Sequence, residues 1–99
     1  MTMTPAQRRK LSEYQDLHCK RYNRSSKPAT RAYQAYILAH LASLHALENC
    51  LFNAPALEIH LAVAERYRAE SDKVEFSDTE LESLYQSCAD YDAELLSQS

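Results

Sequence analysis

The sequence contains no glycine in 99 residues. Glycine supplies the left-handed backbone conformations of tight hairpins, bulges and phosphate-binding loops, so its absence disfavours a β-rich fold. It also excludes the glycine loops of Walker-type and dinucleotide-type nucleotide sites. The chain has no uncharged apolar run of about 18 residues, and its first residues lack an apolar segment behind their charges. We therefore expect neither a membrane-spanning helix nor a secretory signal.

Cysteine is scarce, and its residues lie far apart in the sequence. The three cysteines, Cys19, Cys50 and Cys88, form no Cys-x-x-Cys pair. An odd number of cysteines without a recognisable signal peptide is typical of free thiols in a reducing compartment, so we expect a cytoplasmic protein. Cys50 and Cys88 fall on apolar helical faces, where we expect them to behave as small core residues.

The apolar residues that are present follow a helical pattern. They make up 45% of the chain, against 25% charged residues, which is the composition of one small domain over residues 1–99. They recur at spacings of three and four, which predicts helices at about 5–23, 29–51, 54–71 and 77–96. The predicted fold is therefore an all-α bundle of about four helices.

Two of these helices have clear start signals. Thr4 precedes Pro5, which fits a side-chain N-cap followed by the residue favoured at the first helical position. Ser77 and Glu80 match a capping box, in which each side chain binds the backbone amide of the other residue. The sequence therefore predicts helix starts at these two places.

The first helix carries only a narrow apolar stripe. The stripe consists of Leu11, Tyr14, either Leu17 or His18, and Tyr22. A linker ending in Pro28 follows, because proline disfavours the helical conformation of the residue before it. We expect residues 1–27 to form a basic helix and linker on the outside of the domain, with loose packing of this segment as one alternative.

The other helices carry broader apolar faces. The second should be central, because it has a stripe of Tyr33, Ile37, His40, Leu44, Leu47 and Leu51 beside a second set of Ala35, Leu38, Ala39, Ala42 and Ala46. The inner face of the third should comprise Leu57, Ile59, His60, Leu61, Val63, Ala64 and Tyr67. The stripe of the fourth comprises Leu81, Leu84, Cys88, Tyr91 and Leu95.

The charges divide sharply between the two halves of the chain. Residues 1–47 carry eight basic and two acidic side chains, whereas residues 48–99 carry three basic and twelve acidic ones. Either the halves neutralise each other within the fold, or each presents a field to a different partner. In the second case the basic partner-binding face consists of Arg8, Arg9, Lys20, Arg21, Arg24, Lys27 and Arg31, and the acidic face of Glu80, Asp90, Asp92 and Glu94.

The candidate catalytic and metal-binding sets are poorly spaced. His18 and Cys19 are adjacent, so on a helix they diverge instead of forming a nucleophile–base pair. The set of His40, His45, His60 and Cys50 matches no metal-ligand spacing. We therefore expect no catalytic residue, no metal and no other cofactor.

Residues 75–95 are similar to part of a known family. The similarity lies in Glu75-Phe76-Ser77-Asp78-Thr79-Glu80-Leu81, in Tyr85 and in Ala93-Glu94-Leu95. These residues resemble the second and third helices of the Hha/YmoA proteins, small all-α modulators of bacterial gene expression. The segment Cys88-Ala89-Asp90-Tyr91-Asp92 departs from the family's Ala-Ala-Asp-His-Arg, and residues 1–55 have no counterpart. The resemblance implies non-enzymatic action by docking onto the nucleoid protein H-NS.

Together these features predict a small non-enzymatic regulatory or inhibitory protein. We expect it to bind a larger protein or nucleoprotein complex through charged helical faces, as small accessory proteins of phage and plasmid origin do. One alternative is a nucleic-acid-binding regulator that uses the basic, tyrosine-containing N-terminal third. Another is a metal- or thiol-dependent helical enzyme. The modest core of so short a chain favours a homodimer over a monomer.

Overall fold

A computed structural model describes residues 3–49 and 54–98. It contains four helices: α1 (Pro5–Arg24), α2 (Pro28–Asn49), α3 (Ala54–Ser71) and α4 (Asp78–Ser97). The described ranges contain no strand, so the predicted all-α fold of four helices is confirmed. The helix ends lie within one residue of the predicted ends, apart from the predicted end at residue 51. That end, together with Cys50, lies outside the described residues.

Both predicted N-caps are formed. The Ser77 hydroxyl accepts a hydrogen bond from the Glu80 amide at 3.1 Å, and the Glu80 carboxylate accepts one from the Ser77 amide at 3.0 Å. Thr4 forms the same reciprocal pair with Gln7, so α1 also begins with a capping box. The Gln7 side-chain nitrogen donates further to the Leu95 carbonyl at 2.9 Å, which joins the start of α1 to the end of α4.

The four helices run alternately up and down. Helices α1 and α3 are antiparallel to α2, and α4 is parallel to it. The contacts that fix these directions are Arg8–Glu48 and His18–Gln34 between α1 and α2, Arg31–Glu70 and His45–His60 between α2 and α3, and Tyr33–Ser83 and His40–Asp92 between α2 and α4. Within the described ranges, each of the other three helices contacts α2, so its predicted central position is confirmed.

Helix α2 has two buried faces of different composition. Ile37 and Leu41 lie on the first face, in the hydrophobic core shared with α1 and α4. The second face lies on the α3 side and consists mostly of small residues, Ala35, Ala39, Ala42 and Ala46, together with the fully buried Leu38. Because small side chains let two helix backbones approach closely, α2 and α3 are the most closely packed pair of helices within the described ranges.

Helix α3 buries less of itself than its apolar pattern predicts. Ile59 is 63% exposed and Leu61 is 46% exposed, so the predicted broad inner face is wrong at these positions. The reason is that α3 packs along α2 without packing on α4, among the residues described. Leu47 in α2 is 53% exposed for the same reason, since it lies at the space that α3 and α4 leave open between them.

Helix α1 contributes directly to the core. Leu11 is fully buried, and Tyr14 and His18 are also buried, whereas Leu17 is 41% exposed. Of the two residues that the stripe left open, His18 is therefore the inward one. The structure places α1 against α2 and α4. None of the helices in the described ranges is long and apolar enough to cross a membrane.

Truncating Leu11 to alanine should lower the free energy of unfolding by about 2–5 kcal/mol, because the change removes buried methyl groups and leaves a cavity. The control is Leu17→Ala in the same helix, which should cost less than about 1 kcal/mol because its side chain is partly solvated. Urea denaturation followed by circular dichroism measures both. Equal and small losses would contradict the close packing of α1.

Candidate partner-binding surface

The four acidic side chains of the predicted acidic face all have partners within the protein. Glu80 caps its own helix. The Asp90 carboxylate accepts a hydrogen bond from Gln86 at 2.7 Å, and the Asp92 carboxylate lies 2.8 Å from His40 Nε2. Glu94 lies 3.8 Å from Lys10. Only Asp92 and Glu94 meet groups from the first half of the chain, and only Glu94 meets a lysine or arginine, so α4 is neutralised by that half at one position of the four.

The seven basic residues do not form a single surface. Arg8 pairs with Glu48 near the start of α1, and Arg9 is exposed beside it. Lys20, Arg21 and Arg24 lie about three turns away at the opposite end of the same helix. Lys27 lies in the linker that follows, and Arg31 lies near the start of α2. Glu13 and Asp16 are exposed between the two groups and interrupt the positive charge.

Arg31 is engaged inside the fold. Its guanidinium carbon lies 3.9 Å from the centre of the Tyr22 ring, in a cation–π contact. It also donates to the carbonyls of Tyr22 and Ser25, at 3.2 and 3.3 Å, and lies 3.4 Å from the Glu70 carboxylate. Because these carbonyls belong to the end of α1 and the linker, Arg31 fixes how the chain turns from α1 into α2.

The remaining cations gather where α1 ends and α2 begins. Lys20, Arg21, Arg24 and Lys27, hereafter the basic junction, are all exposed. None of them forms an ion pair with a carboxylate in the described ranges. Arg21 and Arg24 stand in the last turn of α1, where a cation also complements the helix dipole. That local role leaves both side chains directed to solvent.

The start of α2 adds unpaired backbone donors to the same place. The Arg31 amide makes the first intrahelical hydrogen bond, to the Lys27 carbonyl at 3.0 Å. The amides of Ala29 and Thr30 come before it and have no intrahelical acceptor. Lys27 occupies the cap position, and its ammonium cannot accept a hydrogen bond. The first turn of α2 contains no acidic residue either, so the positive end of its dipole faces the basic junction uncompensated.

A buried imidazole connects this region to the core. His18 is 2% exposed, its Nδ1 lies 2.7 Å from the Gln34 side-chain oxygen, and its Nε2 lies 2.5 Å from the Tyr91 hydroxyl. An amide oxygen only accepts, so Nδ1 carries a proton, and in the neutral ring Nε2 accepts from the Tyr91 hydroxyl. The Tyr91 ring is in turn stacked on Tyr14, with 4.3 Å between ring centres. One side chain from α1 thus ties α2 to α4.

Burial sets the protonation of this imidazole. Desolvation lowers the pKa of His18 below its ordinary value of 6.5, the hydrogen bond to Gln34 opposes that shift, and the nearby charge of Arg21 adds to it. The ring is therefore neutral near pH 7, which matches its one donated and one accepted hydrogen bond. Desolvation likewise lowers the pKa of His45, which stacks on His60 with 5.0 Å between ring centres.

The surroundings of His18, Cys19 and Cys88 bear on the candidate catalytic and metal-binding residues. His18 directs both ring nitrogens to Gln34 and Tyr91 and not to Cys19. The described parts of the chain contain no cluster of three or more metal-ligating side chains. Cys88 is buried, as expected of a small core residue, and its burial raises the pKa of the thiol to about 11.

A concave region lies between α3 and α4, away from the basic junction. It is an open groove of about 670 Å³ with α2 as its floor. Tyr85 and the His40–Asp92 pair line the side formed by α2 and α4, and Arg68 and Asp72 line the α3 side. Its rim carries both signs of charge, in contrast to the basic junction.

Comparison with known proteins gives no relative for this chain. No protein-family model matches it, and neither a curated protein nor a solved structure does.

Sequence reasoning missed the most informative polar residue near the basic junction. Gln34 is buried and lies in the second turn of α2, before Ile37. It belongs to neither of the two apolar sets that predicted this helix. Its signal is its position: it precedes Ile37 by three residues and Leu41 by seven, on the inward face. A polar residue at an inward position needs a hydrogen-bond partner, and the inward His18 supplies one.

The free energy of unfolding should fall as the pH is lowered from 7 towards 5. The pKa of His18 is depressed in the folded state, so below about 6.5 the unfolded chain binds more protons and stability is lost. In His18→Gln the pH dependence should be weaker, since one depressed imidazole is removed while that of His45 remains. Chemical denaturation at several pH values measures this, and an unchanged pH dependence in the variant would contradict the buried neutral state of His18.

Proposed function

We propose that this protein is a small non-enzymatic regulator or inhibitor that acts by docking onto an acidic surface of a larger protein. The observation that carries the proposal is the basic junction: four exposed cations at one end of α1 and α2 without an ion-pair partner in the described ranges. Their charge is not consumed by the fold, in contrast to that of Arg8 and Arg31. Exposed charge of one sign steers a protein towards a complementary surface and speeds encounter with it.

The junction is also held rigidly, which favours binding. Arg31 fixes the carbonyls of Tyr22 and Ser25, and Ser25 Oγ accepts a hydrogen bond from the Lys27 amide at 3.2 Å. A surface that is already ordered loses less conformational entropy when a partner binds. The chain therefore presents its cations from a preformed turn between two helices.

A nucleic-acid-binding regulator is the second candidate, favoured by the same cations. Proteins that bind nucleic acid usually contact several successive phosphates with a row of lysine and arginine side chains. Here Glu13 and Asp16 interrupt the charge along α1. Helix α4, which contacts α1, has six carboxylates and no lysine or arginine. These neighbours favour a protein partner.

The resemblance of residues 75–95 to the Hha/YmoA proteins concerns α4 and the turn before it, and H-NS docking stays a proposal.

Reversing the junction charges with Arg21→Glu, Arg24→Glu and Lys27→Glu in one variant should abolish partner capture. The immobilised protein is exposed to a lysate of its source cells, and the retained proteins are quantified by mass spectrometry. The matched control is Arg66→Glu, Arg68→Glu and Lys73→Glu, which changes the net charge equally at exposed positions outside both predicted faces. The proposal requires capture by the wild type and the control and its loss in the junction variant, at unchanged helicity.

Two results would contradict the proposal. Equal capture by the junction variant would eliminate these cations as the docking surface. A complex that disappears after nuclease treatment and weakens steeply with salt would favour the nucleic-acid-binding alternative.

A further inference from the structure

The basic junction encloses a shallow concavity of about 540 Å³. Its lining contains three cations, Arg21, Arg24 and Lys27, and four neutral polar residues, Ser25, Ser26, Thr30 and Gln34. No carboxylate of the described residues contributes to its lining. Three cations and a helix start thus surround one small volume, where an anion would meet complementary charge from several directions.

Gln34 gives this concavity a fixed donor. Only 9% of the residue is exposed, and its side-chain oxygen lies 2.7 Å from His18 Nδ1. Its side-chain nitrogen has no acceptor among the described residues, and Gln34 lines the concavity. This nitrogen is not one of the fully buried atoms left without a hydrogen bond, so its N–H groups are accessible from solvent. The orientation of His18 fixes which end of the amide faces inward, and therefore which end faces the concavity.

We propose that this concavity binds the phosphate group of a phosphorylated side chain on the partner protein, an inference that rests on the proposed function. A phosphate monoester carries close to two negative charges at neutral pH and three acceptor oxygens. The arginine guanidinium groups are suited to bidentate contacts with such oxygens. Gln34 and Thr30 line the concavity and supply neutral donors there, and the Ala29 amide, the next one along the chain, likewise precedes the first hydrogen bond of α2.

A single phosphate group fits the surroundings better than a nucleic-acid backbone does. The three cations converge on one concavity and do not extend along a groove. A phosphodiester chain leaving the site along α1 would meet Asp16 and Glu13. The site therefore has the charge for one dianion and lacks the track for a polymer.

The first arm of the test is an NMR titration of the folded protein with inorganic phosphate, against sodium chloride at equal ionic strength. Phosphate should shift the amide signals of Ala29 and Thr30 and the side-chain amide signals of Gln34, and chloride should not. Equal shifts in both salts, or no shift at these groups, would overturn the inference.

Charge-neutralising variants locate the binding. Arg24→Gln and Lys27→Gln should each weaken phosphate binding about three- to fivefold, as expected for one exposed charge pair. Lys73→Gln removes an exposed cation from the connection between α3 and α4 and should leave the affinity unchanged. Gln34→Met keeps the side-chain volume and removes the donor, so it should also weaken binding. If that variant does not fold, the two exposed variants still decide the matter, since unchanged affinity in both would overturn the site.

The second arm uses the partner retained in the charge-reversal experiment. Lysate prepared with phosphatase inhibitors is compared with lysate treated with a protein phosphatase. Loss of capture after dephosphorylation supports the inference. Unchanged capture, still dependent on Arg21, Arg24 and Lys27, would overturn the phosphate assignment and leave the docking surface standing. Loss of capture after nuclease treatment alone would overturn both.

Discussion

The buried imidazole of His18 is the interaction on which the arrangement of α1, α2 and α4 depends. Its two nitrogens reach Gln34 in α2 and Tyr91 in α4, so a single ring sets the register among three helices. Burial lowers the pKa of this ring, so near pH 7 it is neutral, with Nδ1 donating and Nε2 accepting. The hydrogen bond from Nδ1 orients the buried Gln34 amide beside the basic junction. A constraint inside the core thereby determines which polar atom is presented at the basic junction.

The unequal faces of α2 explain why the molecule is an open bundle. The side with Ile37 and Leu41 supports a core that α1 and α4 complete, while the alanine side lets α3 approach closely. Alanine side chains bury little area per residue. Helix α3 packs on α2 along one side only, and Ile59 on another side of α3 stays exposed. The groove between α3 and α4 follows from this division.

Charge in this protein is divided between structural and free groups. Arg8 and Arg31 join helices, and Glu80, Asp90, Asp92 and Glu94 of α4 have partners on a neighbouring helix or at their own helix. Four of the exposed cations without an ion pair lie together at the turn between α1 and α2. That turn is held by the contacts of Arg31, so the free charge is displayed on an ordered surface. The proposed docking and phosphate recognition both use this separation.

The four helices can be predicted from the sequence alone, because their signals are local. Apolar spacing, Pro28 and the capping residues act over a few positions, and they predicted the four elements and the central place of α2. The tertiary structure decided which of the equivalent-looking side chains are inside and which charges are free. Leu17 and His18 are neighbours, and only packing against α2 and α4 selects His18. Arg24 and Arg31 look alike in the sequence, yet only Arg31 meets a carboxylate 39 residues away. Local patterns hold no information about such distant pairs, so the surface could be recognised only after the helices were assembled.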